Sequence, residues 1–316
     1  MYLLGFDIGG TKCAVVTAQW NGETVTLLKK SRCATDHTVS PQAMIQRLIA
    51  MADEILETPP ERIGISCGGP LDSAQGIILG PPNLPGWDHV PIVKQLQDHY
   101  GVPVHLQNDA NACAVAEWKF GAGRGADNMI FLTFGTGLGA GLILGGRLYD
   151  GTNGNAGEAG HIRLASHGPI GYGKEGAFEG FCSGSGIAQL AWELAQETWR
   201  KTGQPPLYLS AGMTERDVTA KTVAQAALEK DPTALAVYRK SGEYLGKGLS
   251  ILIDLLNPQM IVIGSIFARN EHLLRDAMQK ELEKETLSPS LSCCRIVPTM
   301  LGESIGDLAA LATALL

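Results

Sequence analysis

The stretch Leu3-Leu4-Gly5-Phe6-Asp7-Ile8-Gly9-Gly10-Thr11-Lys12, followed by the apolar run Cys13 to Ala18, reads as a strand, a glycine turn and a second strand. The pattern returns at Ile130-Phe131-Leu132-Thr133-Phe134-Gly135-Thr136-Gly137-Leu138-Gly139, with a strand from Ala140 to Leu144 behind it. Neither turn has the spacing of an eight-residue P-loop or of a dinucleotide fingerprint that opens a helix. Both read instead as hairpin tips whose glycines permit positive φ and let amide N–H groups approach an anion. Two such tips, with a Thr in each and an Asp at the end of the first strand, read as two halves of a phosphate clamp. Asp7 is placed to hold Mg²⁺ through water, because that ion takes oxygen ligands and keeps part of its hydration shell. The echo of Leu3 to Ala18 in Met129 to Leu144 points to an internal duplication.

Working outward, strands at Thr24 to Lys29, Arg62 to Ser66 and Val102 to Leu106 alternate with helices at Pro41 to Leu56 and up to Tyr100. A hairpin is expected at Leu71 to Leu79. Further helices are expected at Gly186 to Lys201, Glu215 to Lys230 and Pro232 to Leu256. A strand at Met260 to Ile263, a helix to Lys284 and a strand at Arg295 to Val297 follow, and the last helix, Ser304 to Leu316, is almost wholly apolar. This is an α/β pattern of two domains. The glycine-rich stretch Gly121-Ala122-Gly123-Arg124-Gly125 has the composition of a hinge. The expected division is residues 1–120, with helix 303–316 packing back on them, and a larger domain over 121–302.

The chain has 316 residues, of which 45% are hydrophobic and 18% charged, enough for two domains with substantial cores. A net charge of −7 argues against nucleic acid as the main partner, since phosphate-backbone binding needs clustered Lys and Arg. Seven cysteines without a paired framework read as reduced thiols. No apolar run reaches the length of a membrane span and no leader precedes Asp7, so a cytoplasmic protein without membrane contact is expected.

Asp109 follows a strand and opens a helix, so its carboxylate is expected at a strand end, either as a general base or as a helix N-cap. Glu158 and His161, among glycines, are spaced to present a carboxylate and an imidazole to adjacent hydroxyls. Glu179 lies between Phe178 and Phe181, where a carboxylate needs partners, and vicinal hydroxyls of a sugar would serve.

Five segments together resemble the ROK family of sugar kinases (repressors, open reading frames, kinases), within the actin-like ATPase and hexokinase superfamily. They are Asp7-Ile8-Gly9-Gly10-Thr11-Lys12, Pro82-Asn83-Leu84-Pro85-Gly86-Trp87, Asn108-Asp109-Ala110-Asn111-Ala112, Gly135-Thr136-Gly137-Leu138-Gly139 and Gly157-Glu158-Ala159-Gly160-His161. The resemblance implies two actin-like, ribonuclease H-like domains around a central cleft, and transfer of the γ-phosphate of ATP to the 6-hydroxyl of a hexose or N-acetylhexosamine. It implies Asp109 as the base, with Gly69, Asn83, Asn108, Glu158, His161 and Glu179 around the sugar. Gly9, Gly10, Thr11, Lys12, Gly135, Thr136 and Gly137 would surround the phosphates of Mg-ATP, and Gly264 and Ser265 would lie near the adenosine. It also implies a homodimer.

In many members three cysteines join the histidine of the Gly-His pair on a structural Zn²⁺. The matching positions here are Ile170, Tyr172 and Ala177, so no structural zinc is expected, because His161 alone cannot complete a tetrahedral site. Apolar packing by Ile170, Tyr172, Phe178 and Phe181 is expected to steady the loop instead. The family's repressors place a DNA-binding domain before the kinase-like part, and none is expected ahead of Asp7. Two other readings are a sugar sensor without turnover and an actin-like phosphotransferase acting on a carboxylate. The intact Asp109, Thr11 and Thr136 disfavour the first, and the hydroxyl-binding set disfavours the second.

Overall fold

A computed structural model describes residues 1–210 and 212–316. The chain runs β1 (Tyr2–Ile8), β2 (Lys12–Trp20), β3 (Val25–Ala34), α1 (Pro41–Ile55), β4 (Arg62–Cys67), β5 (Leu71–Asp72), β6 (Ile77–Ile78), α2 (Ile92–Tyr100), β7 (Val104–Asn108) and α3 (Asp109–Phe120). It continues through β8 (Met129–Phe134), β9 (Leu138–Ile143), β10 (Leu148–Tyr149), β11 (Ile170–Gly171), β12 (Lys174–Glu175), α4 (Phe178–Phe181), α5 (Gly184–Thr202) and α6 (Ala220–Leu228). The last elements are α7 (Pro232–Leu256), β13 (Met260–Ile263), α8 (Ile266–Glu285), α9 (Ser288–Cys293), β14 (Arg295–Pro298) and α10 (Ile305–Thr313). Two compact units result: residues 1–127, 141–156 and 300–316, and residues 128–140 with 157–299. Residues 141–156 thus group with the first unit. No helix among the described residues is long and apolar enough to cross a membrane.

The first unit is built on a sheet in the order β3-β2-β1-β4-β7. β1, β2 and β3 form an antiparallel meander, whereas β1, β4 and β7 are parallel. Side chains alternate across the sheet, so Leu4, Phe6 and Ile8 meet Met44, Ile45 and Leu48 of α1 in one buried cluster. α1 starts cleanly, with the Ser40 hydroxyl accepting from Ala43 N and Pro41 in the first turn. The opposite face is shaped for α10. A Cβ on Gly64 would lie 2.0 Å from the Ala310 carbonyl oxygen, so only glycine lets this apolar helix lie flat on the sheet.

The glycine-rich stretch after α3 is pinned. The fully buried Glu117 accepts from Ala122 N through Oε2, at 2.8 Å, and from Met300 N and Leu301 N through Oε1, each at 3.0 Å. Gly121 N and Gly123 N both donate to the Glu117 carbonyl, so these glycines form a bonded turn.

In the second unit β9, β8, β13 and β14 are neighbours in that order, with β8, β13 and β14 parallel. α7 begins at Asp231, whose carboxylate accepts from Ala234 N, and ends at Asn257 in the left-handed region. Gly242 and Gly246, four residues apart, let α8 approach closely: a Cβ on either would lie 2.6 and 2.5 Å from the carbonyl oxygens of Leu274 and Met278. The helix expected over Glu215 to Lys230 is divided into a 3₁₀ turn, Glu215–Asp217, and α6. The break comes from Thr219, whose hydroxyl accepts from Thr222 N and starts a new helix. The short elements β11, β12, α4 and α9 have no periodic signal in sequence and emerge only in the structure.

Candidate active site

In the first unit the parallel strands end level, with Ile8 beside Cys67 and Cys67 beside Asn108. That carboxyl edge is where open α/β sheets bind ligands. Asn108 caps α3, accepting from Asn111 N at 2.8 Å. Asp109 is therefore not the N-cap, and among the described residues its carboxylate is bonded only at Oδ1, by Ala110 N at 2.9 Å. Although the residue is open to solvent, desolvation by the surrounding protein holds the Asp109 carboxyl above the usual carboxylate range. Asp7 is pushed up to about 6, chiefly by burial, with Asp307 and then Asp109 adding repulsion against the pull of Lys12 and Lys30. Asp307, which no sequence motif marks, is salt-bridged to Lys30 at 2.6 Å.

The turn between β1 and β2 directs its carbonyls into the protein. Gly9 O accepts from the Thr35 hydroxyl at 2.6 Å, Gly10 O bonds His37 Nε2 at 2.7 Å, and Thr11 O accepts from Thr35 N. The N–H groups of Gly10 and Thr11 have no partner among the described residues. The turn before β9 repeats the device. Gly135 O accepts from Gly184 N at 2.7 Å and Thr136 O from the Ser185 hydroxyl at 3.1 Å, while Thr136 N and Gly137 N lack partners among the described residues. Two adjacent donors on a fixed turn suit an anion such as phosphate.

The glycines serve these turns differently from expectation. Gly9, Gly10, Gly135 and Gly137 do not have positive φ. What excludes a side chain is proximity: a Cβ on Gly10 would lie 2.5 Å from Asn83 O, and one on Gly137 2.7 Å from Glu179 Oε2. Each turn therefore touches a residue expected to bind the sugar within its own unit. Asn83 also borders Gly68, beside Gly69 and its cis peptide bond to Pro70.

In the second unit Glu179 Oε2 accepts from Leu138 N at 2.9 Å, so a backbone donor stabilises this carboxylate before any hydroxyl does. A Cβ on Gly160 would lie 3.3 Å from Glu179 Cβ, which places the Ala159–His161 3₁₀ turn beside it. Glu158 and His161 are both exposed. Past β13, Gly264 N donates to Leu132 O, and Ser265 adopts φ 56° and ψ −111°, where glycine is favoured. Gly184 and Ser185, which hold the second turn, have no such role in the sequence motifs, although a Ser-Gly-Ser run at a helix start is a recognisable signal for groups that hold a turn.

Ile170 and Tyr172 are 54% and 80% exposed, so they do not pack the loop as expected. Of that set only Phe178 and Phe181 are buried. Cys182, the cysteine nearest the loop in sequence, is buried and donates to Ser241 O. Among the described residues no group of three or more His, Cys, Asp or Glu could hold a metal ion. The donors at the family's zinc positions do not fit that ion.

A sequence model described as the ROK family matches residues 3–315. The chain belongs to the ROK family. This ROK protein is 30% identical over 313 residues to the glucokinase of Thermotoga maritima, a match covering 98% of this chain and 95% of that one. It superposes with TM-score 0.77 and 30% identity on a ROK family glucokinase from Streptomyces griseus solved with glucose and AMPPNP, covering 100% and 99% of the two chains. It is also 26% identical to the xylose repressor of Bacillus subtilis, covering 96% of this chain and 74% of the repressor. The fold is thus the α/β, actin-like two-domain fold of ROK sugar kinases.

Proposed function

We propose that this ROK protein is an ATP-dependent sugar kinase that phosphorylates the 6-hydroxyl of a hexose or N-acetylhexosamine. The observation that carries this reading is Asp109: a carboxylate at a strand end, on a residue open to solvent, released from capping by Asn108 and with one oxygen left unbonded among the described residues. Such a group accepts the proton as the hydroxyl oxygen bonds to phosphorus and the bond to ADP breaks. Asn83, Asn108, Glu158, His161 and Glu179, with Gly69, are the residues assigned to orient the sugar. The paired N–H groups of Gly10 with Thr11 and of Thr136 with Gly137, with Lys12 beside the first pair, are assigned to the phosphates.

Asp7 is assigned to hold Mg²⁺ through water, since that cation takes oxygen ligands and keeps part of its hydration shell, so a single carboxylate is enough. When bound, Mg²⁺ neutralises charge on the transferred phosphoryl group. The raised Asp7 pKa agrees with that assignment, because a carboxylate whose charge is disfavoured first by burial and then by Asp307 and Asp109 gains from a nearby cation.

The similarity to a xylose repressor supports a second reading, a sugar sensor without turnover. A coupled ADP-release assay with glucose, mannose, fructose, allose, N-acetylglucosamine and N-acetylmannosamine separates the two. The kinase reading expects sugar-dependent ADP release and a 6-phosphate product. Calorimetric sugar binding with ADP release at the sugar-free background would establish the sensor.

A further inference from the structure

The loop from Ile170 to Gly176, deprived of thiolate ligands, is held by a different set of bonds. Lys174 Nζ donates to His161 O at 2.7 Å. Gln189 of α5 clasps Ile170 on both sides: Ile170 N donates to Gln189 Oε1 at 2.9 Å, and Gln189 Nε2 donates to Ile170 O at 3.0 Å. Arg163 donates to Glu175 O at 2.6 Å, and Leu164 N and Ala165 N both donate to Gly176 O.

The loop also presses on the carboxylate-bearing helix. A Cβ on Gly171 would lie 2.8 Å from Glu179 Cβ, and one on Gly180 would lie 2.2 Å from Pro169 O. Two anchors therefore converge on functional positions. Lys174 fixes the main chain of His161, and the Gln189 clasp fixes the strand that backs Glu179. The paired donor and acceptor of the Gln189 amide fix orientation, and the charged Lys174 donor makes the stronger single bond.

We propose that Lys174 and Gln189 are positioning residues that take the structural place of a metal ion, holding His161 and Glu179 in register for the sugar. The proposal rests on the sugar-kinase reading for its functional consequence, but the clasp itself is testable without it.

The experiment compares the parent enzyme with Lys174→Met, Lys174→Arg, Gln189→Ala and His161→Ala, using the sugar turned over fastest in the panel above. Lys174→Met and Gln189→Ala are expected to raise the KM for sugar about tenfold, leaving the KM for ATP and kcat within about twofold. Lys174→Arg, which keeps a cationic donor, is expected to recover most of the loss. Hydrogen exchange over residues 162–176 is expected to quicken about tenfold in Lys174→Met and Gln189→Ala. In the parent that protection is expected to persist with 1,10-phenanthroline, and elemental analysis to find well under one zinc per chain.

Parent-like exchange in both clasp variants, or loss of parent protection on chelation, overturns the clasp. If His161→Ala raises the sugar KM while the clasp variants leave it unchanged, positioning is overturned and the site reading stands. If no sugar supports turnover, or His161→Ala has no effect on the sugar, the site reading fails and exchange alone decides the clasp. Equal rises in both KM values with a lowered melting temperature would assign the clasp a purely structural role and overturn the proposal.

Discussion

At the scale of single residues, Asp109 and Ser265 carry the sharpest consequences. Asp109→Asn keeps shape and one acceptor but cannot take a proton, so kcat is expected to fall about 10²- to 10⁴-fold while sugar affinity stays within about tenfold. Steady-state rates and calorimetry check this. The same substitution has a stability signature. Because desolvation raises the carboxyl above its unfolded pKa, the folded chain binds this proton more tightly, and a small part of the stability, screened by solvent at this exposed residue, is lost as pH rises through the folded value. Asp109→Asn is therefore expected to melt above the parent at pH 7–8, with the advantage vanishing below about pH 4. A variant that retains full turnover would reduce Asp109 to a structural group. At Ser265 a side chain occupies a conformation favoured by glycine, a strain of about 1 to 3 kcal/mol. Freeing the unfolded chain with glycine costs about 0.4 to 1 kcal/mol, and the bond from exposed Arg269 adds little. Strain relief wins, so Ser265→Gly is expected to stabilise the protein by on the order of 1 kcal/mol, read as a raised melting temperature.

At the scale of elements, each glycine turn packs against a polar residue on a neighbouring segment, Asn83 through its main chain and Glu179 through its side chain. Gly137→Ala would bring a Cβ within 2.7 Å of Glu179 Oε2 and push the carboxylate off Leu138 N. The KM for sugar is expected to rise along with that for ATP, each about tenfold, or about 1.4 kcal/mol. Gly10→Ala is expected to be harsher, because the atom in its way is the Asn83 main-chain oxygen, which cannot swing aside as a side chain can. Steady-state kinetics in both substrates measure this, and an unchanged sugar KM in Gly137→Ala would show that the turn does not set Glu179. Both turns were legible from sequence as Gly-rich tips between apolar runs. The reason for glycine was not, since it lies in a contact with Asn83 in one case and Glu179 in the other.

At the scale of the whole molecule, Glu117 joins segments far apart in the chain. It holds the turn after α3 to the segment that leads into α10, which lies on the first sheet. Glu117→Ala leaves three backbone donors without their acceptor, a cost on the order of 3 kcal/mol, and is expected to lower the melting temperature by several degrees. Glu117→Gln, which keeps one carbonyl oxygen, is expected to lie between. A melting temperature equal to the parent's in Glu117→Ala would show that water replaces these bonds without loss.

The sequence by itself determined the order of strands and long helices, both glycine turns, the strand-end position of Asp109 and the family. These are local or near-local: periodicity within a window, and motifs within a dozen residues. It misjudged what the glycines in the turns are for and what holds the loop at Ile170 to Gly176, and it gave no sign that Glu117 bonds the stretch Gly121 to Gly125 into a turn. Only the tertiary structure decided those, because each depends on partners distant in sequence. The Glu117 carboxylate meets an amide 183 residues away, and Leu138 N finds Glu179 across 41. Hydrogen bonding of a buried group fixes geometry wherever the chain supplies a partner, and which partner arrives is set by packing rather than by spacing.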